Sequence, residues 1–299
     1  MARIRHRSIK VGATSIFYRE TVPERTADTH PPILLLHGFP STSHQFRGLM
    51  RALGHEFRMI APDYPGFGET EVMYGEGSRF EFSFENLSRA IEEFIDSLNL
   101  GPFLLYAFDF GGPVGYRIAT RRPELIAGLI VQNANAYDAG LSDDARHFAN
   151  IESSDVEGVR ALEGLMSLEG IKFQYLTGVS DAEMIAPDSY VLDHHYLEQT
   201  DRKAAMMALL LDYKTNLAEY PAWQEWLRTH LPPALILWGR NDPLFTEVGA
   251  RAYLADLPHA EIHLFDTGHF ALEERLGEMA PLIEAFARGI GQRPPPARG

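Results

Sequence analysis

The chain has 299 residues, 45% of them hydrophobic and 23% charged, a composition typical of a globular enzyme with a sizeable core. The 41 acidic residues outnumber the 27 basic ones, and the net charge of -14 disfavours nucleic acid or an anionic membrane as a partner. Cysteine is absent, which excludes disulfides, a thiolate nucleophile and cysteine-based metal sites.

Strand and helix patterns alternate along most of the chain. Residues 3–20 predict an antiparallel pair of strands with a turn near Gly12. Apolar runs typical of strands buried on both faces follow at 33–36, 57–61, 103–108, 126–132, 234–238 and 261–265. Helical spacing occurs at 84–100, 113–121, 246–256 and 270–288. This alternation predicts a mostly parallel, doubly wound sheet of the α/β class.

The alternation stops between residues 137 and 220. This region lacks strand-like runs and contains helix-like segments such as 159–168 and 204–217. We interpret it as a helical cap inserted after the sixth strand of the core. The predicted division is therefore a first core part at 1–136, a cap at 137–220 and a second core part at 221–299.

The segment Ala107-Phe-Asp-Phe-Gly-Gly112 lies between a predicted strand and a predicted helix. Small residues on both sides of a central nucleophile are typical of a nucleophile elbow, a strained turn that packs helix against strand. The central residue is Asp109 instead of the common serine. A carboxylate nucleophile attacks a saturated carbon and forms an alkyl-enzyme ester, so the pattern favours epoxides or alkyl halides over esters.

Further motifs follow the other strands in order. They are His37-Gly-Phe-Pro40, Asp63-Tyr-Pro-Gly-Phe-Gly68, Asp242 in Gly-Arg-Asn-Asp-Pro, and His269 in Asp-Thr-Gly-His-Phe. With Asp109, this order resembles the α/β-hydrolase superfamily, and within it the branch of epoxide hydrolases and haloalkane dehalogenases. The resemblance covers nearly all of residues 30–290 and implies an α/β-hydrolase fold.

The resemblance also implies catalytic roles. His269 is expected to activate the water that hydrolyses the Asp109 ester, and Asp242 to orient the imidazole. Asp266 is the competing acid. In some dehalogenases the acid follows the sixth strand, where this chain has Asn133 and no carboxylate, which favours Asp242.

The leaving group distinguishes the two enzyme classes. Dehalogenases of this branch typically place Trp after the nucleophile and often Asn in the loop after the first parallel strand, whereas here those residues are Phe110 and Phe39. Phenylalanine side chains donate no hydrogen bond. Instead, the backbone N–H groups of Phe39 and Phe110 are expected to form an oxyanion hole. We assign Phe39, Phe110, His37 and His147 to substrate binding.

Epoxide hydrolases of this fold usually use two cap tyrosines, or a tyrosine and a histidine, to protonate the opening oxygen. Tyr213, followed by Lys214, resembles the second of them. Tyr175 is the leading candidate for the first, followed by His147 and then Tyr137. Aromatic and aliphatic residues are expected to line the cap side of the site, namely Phe148, Leu165, Met166, Met206, Met207 and Leu210.

The sequence therefore predicts a cofactor-free epoxide hydrolase, without a metal, that acts on a small apolar epoxide. The alternatives are a haloalkane dehalogenase that uses the same triad on an alkyl halide, and a hydrolase-fold binding protein that has lost catalysis. No apolar run approaches the roughly 18 residues of a membrane helix, and the basic residues 1–10 precede no secretory apolar stretch. We expect a cytoplasmic monomer or homodimer that binds no nucleic acid or membrane.

Overall fold

A computed structural model describes residues 2–23, 30–72 and 80–291. The end of the second predicted core part, 292–299, lies outside these ranges. Among the described residues, no helix combines the length and the apolar character needed to cross a membrane.

The described strands join in a single sheet in which each predicted apolar run forms a strand. The strands are β1 (Arg3–Val11), β2 (Thr14–Val22), β3 (Ile33–Leu36), β4 (Met59–Pro62), β5 (Glu71–Val72), β6 (Phe103–Phe108), β7 (Ile126–Gln132), β8 (Ala234–Gly239) and β9 (Glu261–Phe265). Their order is β1-β2-β4-β3-β6-β7-β8-β9, and the short β5 pairs with β2.

The sheet is parallel from β4 to β9 along this order and antiparallel where β2 meets β1, β4 and β5. The central strands β3 and β6 are buried at every position, because helices cover both faces of a parallel sheet. The expected mostly parallel, doubly wound sheet is thus confirmed.

The helices are α1 (Arg47–Leu53), α2 (Phe84–Ser97), α3 (Gly111–Arg121), α4 (Asp143–Ala149), α5 (Val156–Leu165), α6 (Leu168–Leu176), α7 (Pro187–Leu197), α8 (Thr200–Asp212), α9 (Lys214–His230), α10 (Glu247–Ala252) and α11 (Ala271–Gly291). The chain moves across the sheet in one direction from β3 to β4, and in the opposite direction from β4 past β3 to β6. Right-handed crossovers therefore place α1 and α2 on opposite faces of the sheet. Helix α11 packs against α1, and α3 packs against α2.

Helices α4 to α9 lie between β7 and β8, in the region where the sequence predicts a cap. The expected boundary at residue 220 falls inside α9, which continues to His230. This helix joins the insertion to the core, because Trp223 packs on Tyr116 of α3 with ring centroids 5.4 Å apart.

Parallel strands of one sheet end at the same edge. The loops after β3, β6, β7, β8 and β9 therefore meet at the edge where ligands bind in open α/β sheets. The predicted triad of Asp109, Asp242 and His269 lies in these loops, whereas the predicted cap donors lie in the helical insertion.

Candidate active site

Asp109 occupies the sharp turn between β6 and α3, and its φ of 47° lies in the left-handed region that non-glycine residues rarely adopt. The turn packs tightly because Gly111, the first residue of α3, lies against the Leu36 carbonyl, and a Cβ there would collide with it. The Asp109 side chain therefore extends from the carboxyl edge of the sheet, as the elbow pattern predicts.

Backbone N–H groups hold the Asp109 carboxylate. The Phe39 N–H donates to Oδ1 over 2.6 Å, and the Phe110 N–H also hydrogen-bonds the carboxylate. The loop after β3 can come this close because Gly38 has no side chain, and a Cβ there would overlap the Asp109 side chain. The structure thus brings the two predicted oxyanion-hole donors to Asp109.

Burial raises the pKa of Asp109 to about 6, although His269 and the two N–H donors favour the charged form. The carboxylate is consequently ionised at neutral pH but is less stabilised than an exposed one.

His269, in the loop after β9, lies between the predicted acid and the predicted nucleophile. Its Nδ1 lies 2.6 Å from Asp242 Oδ2, and its Nε2 lies 3.7 Å from Asp109 Oδ2. Burial alone would lower the pKa of His269, but the carboxylates of Asp242 and, to a lesser extent, Asp109 outweigh it and raise the pKa. Asp242 fixes the ring so that Nε2 faces Asp109.

Asp242 is itself held by three donors. The N–H groups of Leu244 and Phe245 bind Oδ1 over 2.8 Å and 3.0 Å, and Asn133 Nδ2 binds Oδ2 over 2.8 Å. Asn133, after β7, also accepts the Gly239 N–H through its Oδ1 over 2.9 Å, so it joins the ends of two strands. Asp266, the competing acid, instead accepts a hydrogen bond from Asn241 over 2.9 Å at the surface.

A cavity of about 60 Å³ opens beside Asp109, between the sheet edge and the helical insertion. Its polar side chains are Asp109, Gln174 and Tyr213. The others are aromatic or aliphatic, namely Phe39, Phe110, Ala145, Phe148, Ala149, Leu162, Leu165, Leu210, Leu244 and Phe245. Of the cap residues predicted to line the site, Phe148, Leu165 and Leu210 do so, whereas Met166, Met206 and Met207 are not part of the lining.

Tyr213 immediately precedes α9, and its ring packs against Phe110 and Phe84 with centroids 6.0 Å and 5.8 Å away. Burial, the nearby Tyr220 and the Asp109 carboxylate raise the pKa of Tyr213 well above its ordinary value. The phenol therefore stays protonated and able to donate.

Tyr175 does not reach the cavity, which corrects the expectation that it faces the substrate. Its hydroxyl donates to buried Asp193 over 2.6 Å, and its ring stacks on Phe270 with centroids 3.8 Å apart. Successive helical residues point about 100° apart, so the preceding residue, Gln174, lines the cavity in its place.

The other two candidate donors also lie elsewhere. His147 is exposed, because Ala145, Phe148 and Ala149 form the face of α4 that lines the cavity. Tyr137 donates its hydroxyl to Asp256 over 2.6 Å and is not part of the lining.

His37 is completely buried beneath the loop after β3 and does not line the cavity, which corrects its assignment to substrate binding. Its Nε2 accepts the Tyr64 N–H over 3.2 Å, and its Nδ1 faces the Gly38 carbonyl. Burial lowers its pKa to about 3, so it is a neutral ring that joins two loops.

The family model for the alpha/beta hydrolase fold matches residues 31–169 and 177–276, which include all the strand-end loops described above. The chain belongs to the α/β-hydrolase family. This hydrolase is 37% identical to "Uncharacterized hydrolase YNR064C" of Saccharomyces cerevisiae, over 91% of its own length and 93% of that protein.

Two further relatives of the hydrolase carry names that specify a reaction. Haloalkane dehalogenase 2 of Mycobacterium tuberculosis is 29% identical, over 86% of this chain and 88% of that protein. Epoxide hydrolase 4 of Homo sapiens is 26% identical, over 73% of this chain and 60% of that protein. Both reaction classes expected from the sequence therefore occur among the relatives of this chain.

The sequence reasoning missed Gln174 and Asn133. Asn133 stands at the end of a buried strand with a φ of 40°, and a polar residue in that place is a recognisable signal. Gln174 carries no such signal, because a glutamine in a helix usually faces solvent.

Proposed function

We propose that this hydrolase opens a small, mostly apolar epoxide to a vicinal diol through a covalent ester of Asp109. The observation that carries the proposal is that Asp109 and Tyr213 line one cavity whose other walls are almost entirely apolar. A carboxylate can attack a saturated carbon, and a phenol can protonate the oxygen that leaves it. The helical insertion then acts as the cap that supplies the phenol.

The first half-reaction is alkylation of Asp109. Because the Phe39 N–H occupies Oδ1, Oδ2 is the oxygen that attacks the epoxide carbon. The new C–O bond forms as the ring C–O bond breaks, and its electron pair goes to the ring oxygen. Tyr213 transfers its proton to that oxygen, so the products are an alcohol, an Asp109 ester and a phenolate.

The second half-reaction is hydrolysis of the ester. His269 takes a proton from water, which attacks the Asp109 carboxyl carbon, and negative charge develops on Oδ1 beside the N–H groups of Phe39 and Phe110. Alkylation removes the charge of Asp109, one of the groups that raise the pKa of His269. The pKa of His269 therefore falls, and more of the ring is in the neutral form that accepts a proton. The intermediate collapses as the bond between the carboxyl carbon and Oδ2 breaks, and Oδ2 leaves as a hydroxyl of the diol with the proton of the new carboxyl group. The proton held by His269 returns to the Tyr213 phenolate, and Asp109 is again a carboxylate.

A haloalkane dehalogenase is the second candidate, and the similarity to haloalkane dehalogenase 2 over most of both chains favours it. The same Asp109 attack would release a halide, which needs hydrogen-bond donors but no proton. The cavity supports this reading less well, because Phe39 and Phe110 offer no side-chain donor and the described lining contains no tryptophan.

A parallel assay with an aryl epoxide and a bromoalkane distinguishes the two reactions. We expect diol formation to exceed bromide release for the wild-type protein. The His269→Gln variant should accumulate an adduct, which intact-mass and peptide analysis should locate on Asp109. Asp109→Ala is the matched control and should lose turnover by about 10⁴-fold or more. Bromide release without diol would favour the dehalogenase, and an adduct elsewhere would exclude the mechanism.

A further inference from the structure

The cavity contains a polar side chain with no role in the reaction described so far. Within the described lining, Gln174 and Tyr213 are the polar side chains contributed by the helical insertion, and Asp109 belongs to the core. A second donor on the cap side would stabilise the charge that develops on the leaving oxygen together with Tyr213. Tyr175, the leading candidate for the first cap donor, instead donates its hydroxyl to Asp193.

Gln174 is 2% exposed, and its hydrogen-bonding capacity is largely unused. Within the described ranges its side chain makes one hydrogen bond, from Nε2 to the Gly170 carbonyl over 3.3 Å. A primary amide carries two N–H donors and a carbonyl acceptor. One N–H therefore remains available beside the cavity.

Burying an amide in apolar surroundings without partners costs free energy. Methionine or leucine would fill this position on α6 without that cost. Among the described buried amides, Asn133 satisfies its groups with Asp242 and Gly239, whereas Asn216 Nδ2 has no partner. What distinguishes Gln174 is that it lines the cavity beside Asp109. Gln174 thus lines the cavity with hydrogen-bonding capacity that the described residues do not use.

We propose that Gln174 is the second leaving-group donor of this hydrolase, so that its donor pair is one phenol and one amide. This assignment rests on the proposed function. As the epoxide C–O bond breaks, the Gln174 N–H hydrogen-bonds the developing alkoxide and keeps its proton, while Tyr213 transfers its own. The amide thus lowers the barrier to alkylation without changing the proton balance.

The donor pair also limits the substrate. The proposed pair supplies two donors for one acceptor, and the rest of the cavity offers aromatic and aliphatic contacts. The preferred substrate class is therefore an epoxide with hydrocarbon substituents, and a second polar group on the substituent would lack a partner and bind poorly.

The test measures the two half-reactions separately. In a His269→Gln background, single-turnover alkylation by an aryl epoxide is followed by mass spectrometry, with and without Gln174→Met. Methionine keeps the length of the side chain but removes the N–H groups. We expect alkylation to slow by roughly tenfold, the equivalent of about 1.4 kcal/mol in barrier. When His269 is intact, Gln174→Met should leave the rate of hydrolysis of the Asp109 ester unchanged.

Gln174→Glu is the second variant and preserves the shape of the side chain should methionine impair folding. Its carboxylate opposes the developing alkoxide, so at neutral pH it should slow alkylation more than methionine does. Tyr175→Phe, on the same helix but outside the cavity, is the matched control and should alkylate at the parental rate. A structural role for Gln174 would instead lower the melting temperature and affect both half-reactions alike.

The outcomes separate this assignment from the proposed function. If the His269→Gln parent forms the Asp109 adduct and both Gln174 variants form it equally fast, the assignment of Gln174 is wrong and the proposed function stands. If the parent forms no Asp109 adduct with epoxide, the proposed function fails and the assignment fails with it.

Discussion

The two walls of the cavity are built in different ways. On the core side, Asp109 and Asp242 are each held by backbone N–H groups, and Asp242 also binds His269. On the side of the helical insertion, the Gln174 side chain makes a single weak contact with its own helix, and the remaining wall is largely apolar. The core side is therefore positioned by hydrogen bonds within the protein, whereas Gln174 keeps hydrogen-bonding capacity that the described residues do not use.

This difference predicts which half-reaction each wall controls. Changes on the core side that spare Asp109 should affect ester hydrolysis, since His269 and Asp242 act there. Changes on the cap side should affect alkylation, since the leaving oxygen faces Tyr213.

The largest effect expected from this comparison is that of Asp242→Asn. An amide can no longer stabilise the charged imidazole, so hydrolysis should slow by roughly 10²–10⁴-fold while alkylation changes little. Pre-steady-state kinetics should show the accumulated ester. Asp266→Asn is the matched control, because Asp266 contacts Asn241 at the surface. Normal kinetics in Asp242→Asn, or a loss in Asp266→Asn, would overturn the assignment of the acid.

The core wall could be predicted from the sequence because it follows from chain order. Each parallel strand is a recognisable apolar run, and the ends of such strands meet at one edge, so Asp109, Asp242 and His269 had to lie close together. The small residues around Asp109 form a local pattern, which can also be recognised in the sequence.

The cap wall could not be predicted in this way because its geometry depends on the rotation of helices. In α6, polar and apolar residues do not separate into two clear faces, so the sequence does not show which side meets the cavity. A rotation of one residue exchanges Tyr175 for Gln174. Tyr213 could be proposed from the sequence because an aromatic residue followed by Lys214 late in the cap resembles the family's motif, which requires no periodicity.

The next largest effect should be that of Tyr213→Phe. The change keeps the ring packed against Phe84 and Phe110 but removes the O–H, so alkylation by an epoxide should slow by roughly tenfold or more. A bromoalkane needs no proton and should be less affected. Single-turnover alkylation with both substrates measures this difference. Full epoxide turnover in the variant would remove Tyr213 from the mechanism.

Tyr175→Phe is the contrasting change within the same helical insertion. It should leave alkylation unchanged but reduce stability by about 1–3 kcal/mol, because the Asp193 carboxyl loses its buried partner. Denaturant unfolding compared with single-turnover kinetics would show the two effects separately. Slower alkylation without a loss of stability would indicate that Tyr175 is a leaving-group donor after all.

The pH dependence of alkylation distinguishes the two walls without a mutation. Burial raises the pKa of Asp109 to about 6, and only the ionised carboxylate attacks, so the rate should fall as the pH falls and reach half its plateau near pH 6. One pH unit lower, about one tenth of Asp109 remains ionised.

Tyr213 contributes no change in this range, because its pKa lies well above its ordinary value and it stays protonated. Tyr213→Phe should therefore lower the plateau and keep a midpoint near pH 6. Pre-steady-state alkylation of the protein with His269 intact measures this step, because the His269→Gln change would remove a group that favours the ionised carboxylate and would move the midpoint above pH 6. A midpoint near that of an exposed aspartate, about 3.9, would show that the core wall does not bury Asp109 as described.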